Sequence, residues 1–419
     1  MEGAMKNRRL GNFTAFLGNI FEHLETAAFT FTGALIVGYF FPPETGSFWA
    51  KYGIGIAISG SFWLQPFGAM IFAWVGDTFG RKPALNMSYV TAIVPTLFIV
   101  FVPDYATIGI WSSILLILCR VAQGLGSGGA FGGRIVYVLE SNQEGARYLN
   151  SGILASTGFI GALLATSLSA YFMQGEGAYE GWKAPYIFAV GLGLVLLFLK
   201  RYFSETPAFL KAKKEKTKSF KTLVKTYPRE MTFVLLMGMS SLVPFYLGLS
   251  WMGGYFKEIM GLTNSQILFQ SSLVMLLTAF TCFLSFLTVV RKINKSNNLL
   301  ISVVLSLFIT GFFYMGLKES NLLYLQIGLY ILPVYMGFIV PIMLMLIVDL
   351  FPTKDRYRGY AIPLSIGQAL MVGTTPLLAE IAFNITGQYQ MVALVSASST
   401  FLLAICYILS LNEKNRGLL

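Results

Sequence analysis

Residues 18–29 read Gly-Asn-Ile-Phe-Glu-His-Leu-Glu-Thr-Ala-Ala-Phe, so Glu22, Glu25 and His23, the single histidine of the 419-residue chain, sit inside an otherwise apolar stretch. Carboxylates three residues apart share one face of a helix. In an apolar setting such groups take up and give back protons, and two neighbouring acids titrate as a coupled set. His23 titrates near neutral pH and suits a relay, yet it points about 100° away from Glu22 on the helical wheel, which favours packing. Arg120 and Arg134 occupy a second apolar stretch. A guanidinium beside a carboxylate holds it ionised, and a carboxylate that loses this partner in a dry setting takes a proton.

The elements that must hold these groups are membrane spans. The chain is 55% hydrophobic and 12% charged with a mean hydropathy of +0.67, so most of it cannot face water. Crossing a hydrocarbon core of about 30 Å takes roughly 20 apolar helical residues. Spans are predicted near 12–40, 53–76, 83–102, 108–139, 149–173, 182–199, 231–250, 265–290, 298–317, 321–350, 360–382 and 391–411. The fold class is therefore all-α integral membrane, with twelve helices. Charge sets the orientation. With the N-terminus in the cytoplasm the outer loops hold only Lys51, Lys183, Lys257 and Lys318, Arg120 and Arg134 fall within a span, and every other one of the 30 Lys and Arg is on an inner segment. The net charge of +11 thus reads as topology rather than nucleic-acid binding. Both termini are expected in the cytoplasm. The basic start resembles a signal-peptide n-region, but the span after it is long and carries acids, so it reads as a retained first helix.

Counted from the inner start of the first span, Glu22 and Glu25 lie roughly 15–20 Å deep at 1.5 Å per residue, and Arg120 reaches a similar depth from the outer start of the fourth. The two spans run antiparallel, so these side chains meet near the midplane, where charged groups normally mark a transport path. Glu25, Arg120, Glu22 and His23 form the candidate proton-coupling set, to be weighed against a purely structural ion pair. Arg134, near the inner end of the fourth span, could meet an anion at the inner gate, but the favoured expectation is that it pairs with Glu140 or a lipid phosphate. Gln65, Gln123, Tyr246, Tyr330, Tyr335 and Gln368 fall within spans and, with Arg120, are the candidate lining of a substrate cavity. Pro244, Pro333, Pro341 and Pro363 are candidate bends.

The chain divides into a six-helix half over 1–199, a basic linker over 200–230 and a second six-helix half over 231–419. Glu140 and Arg147 end the fourth span with the same gap as Asp349 and Arg356 after the tenth, and Arg81-Lys82 reappears as Arg291-Lys292, so two landmarks agree on one repeat. Six plus six helices with internal duplication is the layout of an alternating-access secondary transporter. Asp77, Arg81, Glu140, Arg147, Asp349 and Arg356 fall at helix ends on one side, where ion pairs between halves can form a cytoplasmic gate.

Gly76-Asp77-Thr78-Phe79-Gly80-Arg81-Lys82 resembles the loop between helices two and three of the major facilitator superfamily, usually G-D-R-x-G-R-K, with Thr78 where arginine is usual and Ala73 where glycine is common. Gly18-Asn19 with Glu22 and Glu25, Arg120-Val121-Ala122-Gln123-Gly124 with Gly128-Gly129, Glu205-Thr206-Pro207-Ala208-Phe209, and Phe351-Pro352-Thr353 with Arg356 and Gly359 resemble its metabolite–proton symporter branch. That branch carries organic acids or osmolytes, and the resemblance spans the chain. It implies twelve helices in two pseudo-symmetric halves, a functional monomer, and, as in sugar–proton symporters, a coupling pair at Glu25 and Arg120. The departures are Ala130 where the branch has an acid, Arg134 where it has a small residue, and His23 where it has an aromatic.

Gly124-Leu125-Gly126-Ser127-Gly128-Gly129 fits a dinucleotide fingerprint but lies within an apolar helix and follows no strand, so it reads as spacing for close helix contact. Cys119, Cys282 and Cys406 occupy separate spans without metal-like spacing. No protease, hydrolase or P-loop signature is present, so the expectation is a transporter rather than an enzyme, with protons as coupling ion and no cofactor. It would import a small polar metabolite, an organic anion or zwitterion, across a bacterial-type inner membrane. An exporter or uncoupled facilitator on the same scaffold is the alternative, and a signalling receptor built on it is a further one.

Overall fold

The computed structural model describes residues 2–33, 36–42, 46–142, 144–172, 181–212, 218–288 and 293–414. Among the described residues there is no strand; twelve long helices make the fold. They are α1 (Glu2–Thr32), α2 (Ser47–Thr78), α3 (Arg81–Phe101), α4 (Ile110–Glu140), α5 (Glu144–Phe172) and α6 (Lys183–Leu199), then α7 (Pro228–Glu258), α8 (Asn264–Thr288), α9 (Lys295–Glu319), α10 (Leu322–Asp349), α11 (Arg356–Thr386) and α12 (Ala393–Lys414). Helices are the form dictated by lipid, which offers no partner to a backbone N–H or C=O. Among the described residues eleven helices are long and apolar enough to cross a membrane by length and composition. The exception, α1, holds Asn12, Asn19, Glu22, His23 and Glu25, whose polarity lowers its hydropathy although all but His23 are buried.

The bounds differ from the sequence expectation in informative places. The first span, expected over 12–40, begins at Glu2, ends at Thr32 and is followed by a separate short helix at Val37–Phe40. Its polar first turns are helical without needing lipid, so hydropathy alone misses them. In α7 the helix breaks at Ser241–Leu242, restarts with Pro244 in its first turn and then widens into a π turn at Leu247–Trp251. In α11 Pro363 precedes a second π turn at Gln368–Val372. Pro333 and Pro341, by contrast, lie inside one continuous α10. Arg291 and Lys292, half of one repeat landmark, lie outside the described residues, as does the side chain of Asp349.

Packing repeats with the helix count. The first-half contacts α2 on α4, α1 on α5, α3 on α4 and α1 on α6 recur as α8 on α10, α7 on α11, α9 on α10 and α7 on α12. The two six-helix halves meet where α2 packs on α11 and α5 on α8. Between α6 and α7 the chain forms short turns at Lys200–Tyr202, Pro207–Ala212 and Phe220–Thr226.

The glycines of α4 set how near it comes to α2. A Cβ at Gly124 would collide with the Ser61 carbonyl oxygen, one at Gly128 with that of Gln65, and one at Gly68 would strike the Leu125 carbonyl. These are backbone atoms that cannot rotate away. Gly128→Val is therefore expected to cost about 3 kcal/mol through overpacking, seen as a lower thermal midpoint of the purified protein, whereas valine at Gly191, which has no neighbour within 4 Å of its Cβ, leaves the midpoint unchanged.

Candidate functional site

A cavity of about 110 Å³ lies between the halves, room for several waters. Asn19, Glu22, His23 and Thr26 supply its α1 wall, Phe62 and Gln65 come from α2, Phe245 and Tyr246 from α7, and Gln368 from α11. The π turns explain two of these: Tyr246 precedes the one in α7, and Gln368 opens the one in α11. A wide turn changes where a side chain on a packed helix aims, and such turns recur at functional sites. A second space of about 50 Å³ shares His23, Thr26, Phe245 and Tyr246 and continues past Thr30 and Ser250.

Of the expected lining, Gln65, Tyr246 and Gln368 face the cavity, and the rest do not. Tyr330 is 39% exposed on the outside of α10. Tyr335 is buried and donates to the Ser241 carbonyl at 2.9 Å, bracing the break in α7. Arg120 and Gln123 line neither space. They are held back by each other and by α3: Arg120 Nη1 donates to Gln123 Oε1 at 2.8 Å, and Gln123 Nε2 to Thr96 Oγ1 at 2.9 Å.

The predicted meeting of α1 and α4 does occur. Arg120 Nη1 lies 3.2 Å from Glu25 Oε2, both side chains 1% exposed, and the guanidinium also lies over the Phe29 ring at 4.3 Å. The pair stands one layer behind the cavity. Thr26 bridges the two: it lines both spaces, and its hydroxyl donates to Glu25 Oε1 at 3.3 Å. His23 lines both spaces too, with Nδ1 3.0 Å from the Asn19 carbonyl and its ring tilted on Phe131 at 6.3 Å. A carbonyl only accepts, so Nδ1 carries the proton. The histidine thus lines the cavity while its ring also packs, on Phe131 and against Gly158.

Arg134 corrects another expectation. It pairs with neither Glu140 nor the surface: its side chain is fully buried and Nη2 lies 2.6 Å from Glu22 Oε2. Tyr89 from α3 is its second polar neighbour, which leaves guanidinium donors in excess of acceptors among the described residues. Two acids on α1 thus meet two arginines on α4.

At the end of the bundle carrying the α2–α3 turn, charges from both halves interlock. Arg81 Nη1 contacts Asp77 Oδ1 at 2.7 Å, its Nε and Nη2 each donate to Glu140 at 3.1 Å, and Nη2 reaches the Thr353 carbonyl at 2.6 Å. Arg356 Nη1 donates to Glu140 Oε1 at 2.9 Å, and Arg358 Nε to Asp77 Oδ2 at 3.1 Å. Gly80, at φ 126°, makes the turn before α3, whose first amides, Arg81 N and Lys82 N, donate to the Glu205 carboxylate at 2.9 and 3.3 Å. Thr206 Oγ1 donates to Glu140 Oε2 at 2.9 Å. The Tyr357 ring sits against Gly76, Gly132 and Gly133, and its hydroxyl donates to the Gly129 carbonyl at 2.5 Å. Beside it Lys218 contacts Asp355 at 3.8 Å; its ammonium pKa is raised by the hydrogen bond to the Tyr227 hydroxyl and by Asp355. Asp77, Arg81, Glu140 and Arg356 are thus brought together as expected. Arg147 turns back to the Leu139 carbonyl at 3.1 Å, outside the bonds just described.

The Major Facilitator Superfamily profile matches residues 26–363. This chain belongs to that superfamily. Among facilitator-superfamily relatives, it is 28% identical to the proline/betaine transporter of Escherichia coli over 384 residues, 87% of this chain and 76% of that protein. It is 27% identical to a putative proline/betaine transporter of Staphylococcus aureus (strain COL) over 381 residues, 88% of this chain and 81% of the relative. In fold it is similar to the proton:xylose symporter XylE from E. coli, with a TM-score of 0.77 at 16% identity over 95% of each chain. The family is one of membrane transporters, so transport rather than catalysis is the frame for these charges. Within it, sequence reading missed Arg358, Thr206 and Tyr357. Arg358 was within reach, two residues after Arg356 in a segment already quoted for its resemblance, whereas Tyr357 has no signal beyond the glycines that receive it.

Proposed function

We propose that this protein is a proton-coupled importer of a small carboxylate-bearing metabolite, a zwitterion of the proline or betaine kind or an organic anion, working by alternating access. The observation that carries the reading is the Glu25–Arg120 contact at 3.2 Å with Thr26 between it and the cavity. Ionised Glu25 keeps Arg120 engaged; a proton arriving from the cavity through the Thr26 hydroxyl neutralises the acid and releases the guanidinium, and the loss of that tie favours reorientation. The aromatic walls at Phe62 and Tyr246, edge to face at 5.6 Å, suit an ammonium group through their ring faces.

The positive-inside pattern supports a cytoplasmic position for the interlocked charged end and both termini, and the bacterial relatives support a bacterial-type inner membrane. Asp77, Arg81, Glu140, Arg356 and Arg358 are then a closed inner gate, released as the halves separate. A single chain contains both halves and the cavity, which supports a functional monomer. An exporter or uncoupled facilitator is the competing reading. Accumulation of labelled proline and glycine betaine in cells expressing the protein separates them: import coupled to protons concentrates label above the medium and collapses with an uncoupler. Uptake that only equilibrates with the medium, or retention that rises with the uncoupler, overturns the coupled-import reading.

A further inference from the structure

The Glu22–Arg134 pair is not used by the coupling scheme above, and its surroundings are unusual. Glu22 forms cavity wall, and the guanidinium stands directly behind it. A guanidinium offers five N–H donors, yet among the described residues this one has Glu22, at 2.6 Å, as its charged partner and the neutral Tyr89 hydroxyl beside it, so donors are left over. The Tyr89 hydroxyl lies beside the guanidinium as a neutral partner, and Tyr360 lies within reach of its field. The groups facing Glu22 or its arginine among the described residues are Arg134 from α4, Glu25 and His23 from α1, Tyr89 from α3, Tyr246 from α7, and Tyr357 and Tyr360 from α11. Arg134 is the permanent cation in that set. The site is balanced in charge and poor in acceptors, a combination suited to a second carboxylate that can engage the planar fork with two parallel bonds.

We propose that Arg134 is a carboxylate-binding group of the central cavity with Glu22 as its resident occupant, so that an arriving substrate carboxylate displaces Glu22 from the guanidinium and brings one proton with it. The balance requires this. One cation and one anion become one cation and two anions when the substrate arrives, and in a buried site the surplus negative charge is removed by protonating the displaced Glu22 from cavity water. The substrate carboxylate thus takes the Arg134 end of the cavity and its other end faces Phe62 and Tyr246. This rests on the transport reading but not on Glu25, so the two fail separately.

The test uses the purified full chain titrated with acetate and, as a neutral match, acetamide, following the thermal midpoint between about pH 5 and pH 8. Glu22→Gln empties the guanidinium of its charged occupant and is expected to bind acetate at least about tenfold more tightly than the parent at neutral pH, with little pH dependence. For the parent, uptake of one proton per carboxylate makes affinity fall as pH rises, by up to about tenfold per pH unit. The double variant Glu22→Gln/Arg134→Gln removes both charges, so no buried ion is left unpaired, and is expected to lose the acetate response. A folded Glu22→Gln that responds to acetate no more than to acetamide overturns the proposal, as does a double variant that keeps the Glu22→Gln response. Loss of gradient-driven uptake in Glu25→Gln with the acetate results intact leaves it standing.

Discussion

Glu25→Gln is expected to abolish accumulation driven by a pH gradient, reducing it to the level of vesicles without protein, while exchange of labelled for unlabelled substrate across the same vesicles continues. Glutamine keeps the shape of the side chain and an oxygen for Arg120 but cannot change its charge. Exchange needs only reorientation of the loaded carrier, whereas accumulation needs the proton step, so the two assays part on this one atom. Arg120 loses its counter-charge in a site where both partners are 1% exposed, and removing one member of a buried pair typically costs about 3–5 kcal/mol. Its bond to Gln123 Oε1 at 2.8 Å persists, so a folded but less stable protein is expected, and its thermal midpoint must be measured beside the flux. Undiminished gradient-driven uptake in the variant would remove Glu25 from the mechanism.

The second large effect belongs to Arg81. Its guanidinium meets Asp77, Glu140 and the Thr353 carbonyl, with all three charged side chains fully buried. Arg81→Ala leaves two carboxylates sharing Arg356 and Arg358, and a loss of about 3–5 kcal/mol follows from the unpaired buried charge. Because Thr353, Arg356 and Arg358 come from the second half, the damage falls on the tie between halves. Spin labels at Thr78→Cys and Pro352→Cys are expected to move apart in Arg81→Ala relative to the parent. Glu140→Gln, which keeps one acceptor oxygen for Arg81 Nη2 and Arg356 but presents an NH2 group toward Arg81 Nε and Thr206, should move them less because Arg81 still holds Asp77 and the Thr353 carbonyl. An unchanged distance distribution in Arg81→Ala would make the network a helix-end brace and not a gate.

Much of this was legible in the residues. Hydropathy set the helix count, and counting depth along two antiparallel spans brought Glu25 to Arg120, because rise per residue is fixed once a span is helical. The same counting misplaced Arg134. It follows Arg120 by fourteen residues, roughly 21 Å along α4, and so read as a helix-end charge. Side chains on a helix lean toward its N-terminus, and a long arginine adds several ångströms in that direction. For α4 this is back toward mid-depth, while Glu22 leans the opposite way along α1, so the two converge. The cavity lining was less legible for another reason. Which of Gln123, Tyr330, Tyr335 and Gln368 faces the space depends on rotation of each helix and on the wide turns in α7 and α11, and hydropathy carries neither.

The slot that receives Tyr357 is built from Gly76, Gly132 and Gly133, so its floor is naked peptide. When the ring withdraws, nothing collapses into the vacancy, because glycine has no side chain to swing, and the Gly129 carbonyl loses the hydroxyl it accepted. That carbonyl keeps its helical bond within α4 and has a second lone pair to offer, so a water can take the place of the hydroxyl. If the halves part at this end as proposed, the crevice along α4 would open to water, and a methyl group grafted at Gly132 or Gly133, which would meet the Ala361 Cβ or the Tyr357 hydroxyl, would hold the ring out of its slot.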